Sequence, residues 1–430
     1  MLLYFEIKNS RSFDENGIHF SLLATDRCKD EDGAELLPDH LIDVPKYGVK
    51  VLKTAAICGA NASGKSNVIK CLFNMLDIVR NSFTGTFANK DFLTDNFSSR
   101  ILGKTALLPY FPNKNNKENV GKPSVYTLGL LIEGVHFEYS FSYNHERILS
   151  EHLLEYVDND TEISHFNRKY DALKRKYIYF NLSEKFKETL NHQAVTRGNN
   201  LFLSAIHHFE EHESLRIDFA ENIFEKIENI GIREEHHEVE KSLYFMQKMG
   251  LLEQFGRELQ KVDFLISEIK VDIEEKESST SIEKITSYHK EIDFDFMKEE
   301  SKGTQTFVGW FAYIFFCLKN GATLFIDEFG TYMHPLLTRY FIDLFYANNQ
   351  TNAQLIFATH DIKLMDRRYT RDDQVFLMQR SKEGDSRLER LSDYEIDDKY
   401  VILDNLYLQG VFGAIPNINT EKNGFLKETK

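Results

Sequence analysis

The sequence predicts an α/β fold, a mixed sheet with flanking helices joined to an antiparallel β-subdomain and carrying a helical insertion. Three short apolar runs carry the first part of that expectation. Thr54-Ala-Ala-Ile-Cys58 breaks into glycine-rich Gly59 to Asn67 and then a helix-like segment, while Gly321 to Glu328 and Gln354 to Asp361 each stop at polar residues. Short continuous apolar runs of this kind are buried on both faces, as in a parallel sheet. The antiparallel part is read from Val125 to Ile132 and Val135 to Tyr143, two alternating runs separated by Glu133-Gly134 at hairpin spacing.

In chain order, Met1 to Lys8 alternates as a strand, Ile18 to Leu23 is a second short strand, and Thr54 to Cys58 is the strand before the glycine-rich loop. That loop, Gly59-Ala-Asn-Ala-Ser-Gly-Lys-Ser-Asn67, is a complete G-x-x-x-x-G-K-S pattern. Its backbone N–H groups open a helix whose N-terminus is electropositive, which suits a triphosphate. Gly59 and Gly64 leave room for close approach, Lys65 reaches phosphate oxygens, and the Ser66 hydroxyl suits Mg²⁺. The first implied ligand is therefore a nucleoside triphosphate.

Downstream, Asp327 and Glu328 follow an apolar strand. At such a strand end Asp327 can hold the Mg²⁺ shell and Glu328 can polarise a water in line with the γ-phosphate. His360 ends the next apolar strand, where it can hydrogen-bond the γ-phosphate. Glu300-Ser-Lys-Gly-Thr-Gln305 precedes a long apolar helix-like segment, Thr306 to Leu318. Ser301 or Thr304 can cap that helix, and Ser301 with Gly303 also forms an anion-binding end suited to a γ-phosphate from another subunit.

Together these motifs, in this order, resemble the ATP-binding-cassette type of P-loop ATPase. More closely, the chain resembles the prokaryotic AAA-type ATP-binding proteins of abortive-infection and anti-phage systems, relatives of SMC and Rad-type ATPases and of the ATPase half of OLD-family nucleases. The resemblance also takes in Phe5 to Phe13, Ile148 to Leu153, His334-Pro335 and the ending Gly410-Val-Phe-Gly-Ala-Ile-Pro416. It implies that Arg11 approaches the phosphates and that Asn61 faces the γ-phosphate or attacking water. The rest of the loop, Gly59, Ala62, Ser63, Gly64, Lys65, Ser66 and Asn67, would hold the nucleotide. Ser301 and Gly303 would act across a homodimer that sandwiches ATP, with Glu328 as water-orienting base and His360 as switch. Two positions depart from the family pattern. Gly330 stands where an acidic residue is usual, and Leu108-Pro-Tyr-Phe-Pro112 occupies the place expected for a metal-contacting glutamine without supplying one.

The chain of 430 residues with 42% hydrophobic content has ample material for a core. It has no apolar run long enough to span a membrane, and a cytoplasmic location is expected. Cys28, Cys58, Cys71 and Cys317 show no zinc spacing and read as reduced packing residues. A net charge of −15 does not support a broad nucleic-acid face, although a local patch remains open. Arg168-Lys169 and Lys174-Arg-Lys176 read as solvated surface, and the pairs His207-His208 and His236-His237 as surface or structural residues. Three regions are expected: 1–154, the first part of the ATPase core; 155–280, a charged helical insertion acting as lid or docking arm; and 281–430, the rest of the core.

No added nuclease domain of ordinary size is expected in the segment given after His360. The leading expectation is thus an ATPase that dimerises, possesses scope for higher assembly, and acts as sensor for a separate effector, a nuclease or toxin. The alternatives are a DNA-maintenance ATPase that clamps nucleic acid directly, and a nucleotide-binding scaffold with negligible hydrolysis. A ribonuclease-like R-x-x-x-x-H spacing at Arg147 to His152 is set against its place in an ordinary strand.

Overall fold

The computed structural model describes residues 1–30, 32–85, 108–183, 186, 198–209, 226–227, 230–233, 239–261, 265–276, 279–396 and 402–416. Strands β1 (Leu2–Lys8) and β2 (Ile18–Ser21), the hairpin β3 (Leu41–Val44) and β4 (Val49–Leu52), and β5 (Thr54–Gly59) lead to helix α1 (Lys65–Asn81). A meander follows: β6 (Ser124–Ile132), β7 (Val135–Tyr143), β8 (Ile148–Tyr156), β9 (Glu162–Asp171) and β10 (Lys176–Leu182). Next come α2 (Phe202–Phe209), β11 (Ile230–Arg233), α3 (Val239–Lys248) and α4 (Leu252–Lys261). The sheet of β12 (Glu268–Lys276), β13 (Ser279–His289) and β14 (Ile292–Asp295) precedes α5 (Lys302–Asn320) and β15 (Thr323–Ile326). The chain continues through α6 (Pro335–Asn348), β16 (Gln354–Thr359), β17 (Val375–Arg380), β18 (Ser386–Arg390) and α7 (Leu403–Leu408).

Two sheets organise the molecule. The central one runs β11-β15-β16-β5-β17-β18, parallel from β11 to β17 and antiparallel only at β18. Every residue of β5, β15 and β16 is buried, which is why these strands read as unbroken apolar runs. The second sheet runs β10-β9-β8-β7-β6-β1-β2 and is antiparallel throughout. In β7 burial alternates along the strand, matching its alternating sequence.

Helix α1 is buried between the sheets, with Val68, Leu72, Met75 and Val79 in one core that includes Phe5, Tyr126 and Phe141. The other face of the central sheet packs Leu324, Ile326, Phe357 and Leu377 against Phe307, Phe311, Phe341 and Phe345 of α5 and α6. Each such side chain contributes roughly 1.5–3 kcal/mol by leaving water. The mixed sheet with flanking helices and an antiparallel subdomain is thus the observed architecture.

The helical character expected for 155–280 is corrected. Its described residues include β9 and β10, which extend the antiparallel sheet, β11, which pairs in parallel with β15 of the central sheet, and β12. The stretch Leu251 to Ile273, expected as helix, is helical only through α4 and then enters β12. Charged residues misled the sequence reading because one face of an antiparallel strand is solvated and carries them as readily as a helix does. Phe186 to Leu190 and Glu221 to Ile230 lie mostly outside the described residues, as do His236 and His237.

Arg168 is a second correction. It is fully buried and pairs with Glu151, with nitrogen to oxygen distances of 2.8 and 2.6 Å. Glu151 also accepts the Tyr139 hydroxyl at 2.8 Å and the N–H groups of Phe202 and Leu203 at the start of α2, at 2.7 and 3.0 Å. Lys169, Lys174, Arg175 and Lys176 are exposed, as expected. Arg147 lies over the Tyr170 ring while His152 hydrogen-bonds Ser164 across the β8–β9 ladder, the contacts of an ordinary sheet. All four cysteines are free and buried, and burial pushes the Cys28 and Cys71 thiols up to about 11 and those of Cys58 and Cys317 to about 12. Among the described residues no helix is long and apolar enough to cross a membrane.

Candidate nucleotide-binding site

Beyond β5 the chain turns through Gly59 to Gly64 before α1 begins at Lys65. Gly64 has φ +113°, and a Cβ there would lie 2.2 Å from Ser386 Oγ and 3.0 Å from Ser12 Oγ. Only glycine fits, because a side chain there would run into Ser386 of β18. Gly64 also gives α1 no side-chain cap, which leaves the helix N-terminus free of a carboxylate or hydroxyl of its own. Lys65 is buried and its Nζ donates to the carbonyls of Gly59 and Ala60, both at 2.9 Å. Burial lowers its pKa, and the charges of Asp327 and Glu328 oppose that shift.

The loop opens onto a cleft of about 770 Å³. Arg11, Asn61, Ala62, Gly64, Lys65, Ser66 and Asn67 line it from one side, and Asp327, Glu328 and His360 from the other. Gly59 and Ser63 do not line it. Ser63 is buried with an unpartnered hydroxyl, while its carbonyl accepts Ser386 Oγ at 2.6 Å.

Parallel pairing brings the acidic and histidine ends together. Asp327 and Glu328 follow β15, His360 follows β16, and β16 lies directly beside β5. Asp327 is buried, and one of its carboxylate oxygens accepts the Glu328 N–H at 3.1 Å. Glu328 itself has φ +54°, a left-handed backbone that costs an L-residue roughly 1–2 kcal/mol. The turn is held by Phe329 N–H to the Ala358 carbonyl at 2.9 Å and by the Thr359 hydroxyl to the Phe329 carbonyl at 2.8 Å. Partial burial and the Lys65 charge hold His360 below its ordinary pKa, against the pull of Glu328 and Asp327.

Ser301 and Gly303 do not line this cleft. Ser301 is exposed and caps α5, accepting the Thr304 N–H at 3.1 Å. Gly303 lies against the loop after β15, where a Cβ would come 2.8 Å from the Tyr332 carbonyl oxygen. Glu300 anchors this segment to β13 by accepting Ser287 Oγ at 2.5 Å and contacting His289 Nε2 at 2.7 Å. Gly330 has a local explanation. Its φ is +92° and a Cβ would meet Thr338 Oγ1 at 3.0 Å, so a side chain of any kind is strained there.

The segment without the expected glutamine does reach the cleft, through Tyr110, Phe111 and Pro112. The Arg11 N–H donates to the Phe111 carbonyl at 2.7 Å, and the Arg11 guanidinium lies 4.5 Å over the Phe111 ring. Arg11 Nε is buried without a hydrogen-bond partner. Sequence reasoning missed Ser12, Lys114, Asn115 and Arg380, which also line the cleft. Lys114 and Asn115 come from a loop after β5–α1, and Arg380 from the end of β17. Asn113 and Asn115 each donate to Asp385 Oδ1, at 2.8 and 2.9 Å, joining segments 272 and 270 residues apart. No local spacing signals such an approach. The result is a cleft with four cations, Arg11, Lys65, Lys114 and Arg380, in a chain of net charge −15.

The family described as "AAA domain, putative AbiEii toxin, Type IV TA system" matches residues 55–366. No curated protein matches the chain. Among solved structures the chain is similar to SMC heads. One is an SMC head bound to the C-winged helix domain of ScpA, at 12% identity over 90% of this chain and 96% of that one, TM-score 0.40. Another is the SMC head domain from Thermotoga maritima, at 11% identity over 92% and 99%, TM-score 0.39. A third is an Smc head with an extended coiled coil bound to the C-terminal domain of ScpA, derived from Pyrococcus furiosus, at 12% identity over 96% and 99%, TM-score 0.35. The family match runs from β5 and its phosphate loop to beyond His360, and the chain therefore belongs to this family of AAA ATPase domains.

Proposed function

We propose that the protein binds ATP with Mg²⁺ in this cleft, hydrolyses it in a head-to-tail homodimer, and uses the cycle to regulate a separate effector of an anti-phage system. One observation carries the reading. Lys65, Asp327, Glu328 and His360 converge on one cleft, while Ser301 and Gly303 sit outside it at the start of α5. A second copy supplies the missing helix end when two chains face each other.

The residues fit the ligands. The glycine-lined loop and four cations suit a triphosphate. Ser66 and Asp327 both offer hard oxygen donors to the cleft, and among the described residues no cluster of three His, Cys, Asp or Glu forms a closed metal cage. That suits Mg²⁺, which keeps waters and phosphate oxygens as its other ligands. Bound there, the ion supplies Lewis-acid neutralisation of phosphate charge. Lys65 exchanges its carbonyl partners for phosphate oxygens. Glu328 orients the attacking water, and His360 holds the terminal phosphate through a ring nitrogen. Positioning and charge stabilisation then account for the rate.

The effector part of the reading is supported by the family's toxin–antitoxin description. Its surroundings are expected to be cytoplasmic. The test uses tagged Glu328→Gln protein, purified from its native host with ATP and Mg²⁺. A stable dimer carrying a stoichiometric nuclease-like or toxin-like partner is the expected result. Unimpaired turnover by this variant would refute the role of Glu328, and nuclease-resistant DNA without a protein partner would replace the sensor reading by a DNA clamp.

A further inference from the structure

We propose that Tyr407 is a positioning residue for the phosphate loop, acting through the carbonyl of Ala414. The inference rests on nucleotide binding by the cleft. It gives a role to the ending Gly410 to Pro416, which no part of the site described above uses. The Ala60 N–H donates to the Ala414 carbonyl at 2.9 Å, and the Tyr407 hydroxyl donates to the same oxygen at 2.9 Å. The Ala60 carbonyl in turn accepts Lys65 Nζ at 2.9 Å. A continuous hydrogen-bonded path therefore runs from α7 to the ammonium that faces the cleft.

The strap that carries Ala414 is fastened at a second point. Gln379 Nε2 donates to the Phe412 carbonyl at 2.9 Å. Gly413 has φ +66° and leaves only 3.3 Å between a Cβ and Gln379 Oε1, so the strap fits closely against β17. Helix α7 is also tied to the segment after β16, because Asp404 pairs with Lys363, three residues beyond His360. The strap commits one loop N–H to itself and thereby holds the phosphate-loop backbone in place at Ala60. Affinity for phosphate depends on such a loop being held in its bound shape beforehand.

Tyr407→Phe keeps the ring and removes only the hydroxyl. The full-length variant is expected to bind ATP with Mg²⁺ about 3- to 10-fold more weakly in calorimetric titration, the effect of one hydrogen bond, with kcat within about two-fold. A purely structural role would lower the melting temperature and leave affinity alone. Gln379→Met, which releases the second fastening, is expected to weaken binding in the same way and decides the matter where Tyr407→Phe does not fold. In wild-type protein, ATP is expected to slow amide hydrogen exchange across residues 403–416. Wild-type affinity in a folded variant, or unchanged exchange in ATP-bound protein, would overturn the proposal. Failure of wild-type protein to take up ATP would overturn the nucleotide reading as well, so the two failures are told apart by the wild-type titration.

Discussion

Arg168 shows what a single buried charge does in this protein. Its guanidinium is neutralised by Glu151 and also donates to the Asn200 carbonyl, and Glu151 in turn accepts the first N–H groups of α2. Arg168→Met leaves that carboxylate buried without its counter-charge. Urea denaturation is expected to show a loss of about 3–5 kcal/mol. His136 acts through pH. Burial holds it down at about 4 against an ordinary 6.5, so between those values the unfolded chain binds the additional proton. The His136 contribution is present above pH 6.5 and lost as pH falls towards 4. Allowing for solvent screening of a partly exposed ring, it is on the order of 1–2 kcal/mol. Stability measured from pH 7 to 4.5 should fall less steeply for His136→Gln than for wild type; equal slopes would assign the acid sensitivity elsewhere.

At the scale of elements, the turn after β15 joins the acidic wall of the cleft to α6. Glu328, Gly330 and Tyr332 all have positive φ there, and Phe329 fastens the turn to β16. Gly330→Ala forces a side chain into a left-handed position beside Thr338. The expected cost is about 1–2 kcal/mol of stability, together with reduced turnover because Glu328 shares the turn. Unchanged stability and turnover would show that the turn relaxes freely. Helix α5 has a different logic. It begins at Ser301, which caps it, so one serine serves helix stability within the chain and, in the proposed dimer, phosphate binding in the neighbour.

For the whole molecule, the central sheet is the device that assembles the cleft. Placing β5 between β16 and β17 sets His360 and Glu328 on one side of the phosphate loop and Arg380 with Asn115 on the other. A ligand bound there bridges both sheets, since Arg11 comes from the loop after β1 of the antiparallel one. Saturating ATP with Mg²⁺ is therefore expected to stabilise the entire chain, by about 2.7 kcal/mol at a hundredfold excess over Kd. A thermal-shift titration checks this, and Lys65→Ala should abolish the shift; an equal shift in that variant would place the nucleotide elsewhere.

The sequence by itself determined the parts whose signals are local. The phosphate loop, the carboxylates after an apolar strand, the histidine after the next, and the β6–β7 hairpin are each written in a few neighbouring residues, because turn chemistry and strand burial act at short range. Tertiary structure alone decided the rest. Arg168 reads as a surface charge until Glu151 is brought across the sheet, and the charged stretch after Tyr156 reads as helix until β8 offers it an edge to pair with. Arg380, Lys114 and the Ala414 strap reach the phosphate loop only because parallel pairing folds distant segments onto β5. Those contacts depend on where the whole backbone travels, which no local pattern of residues encodes.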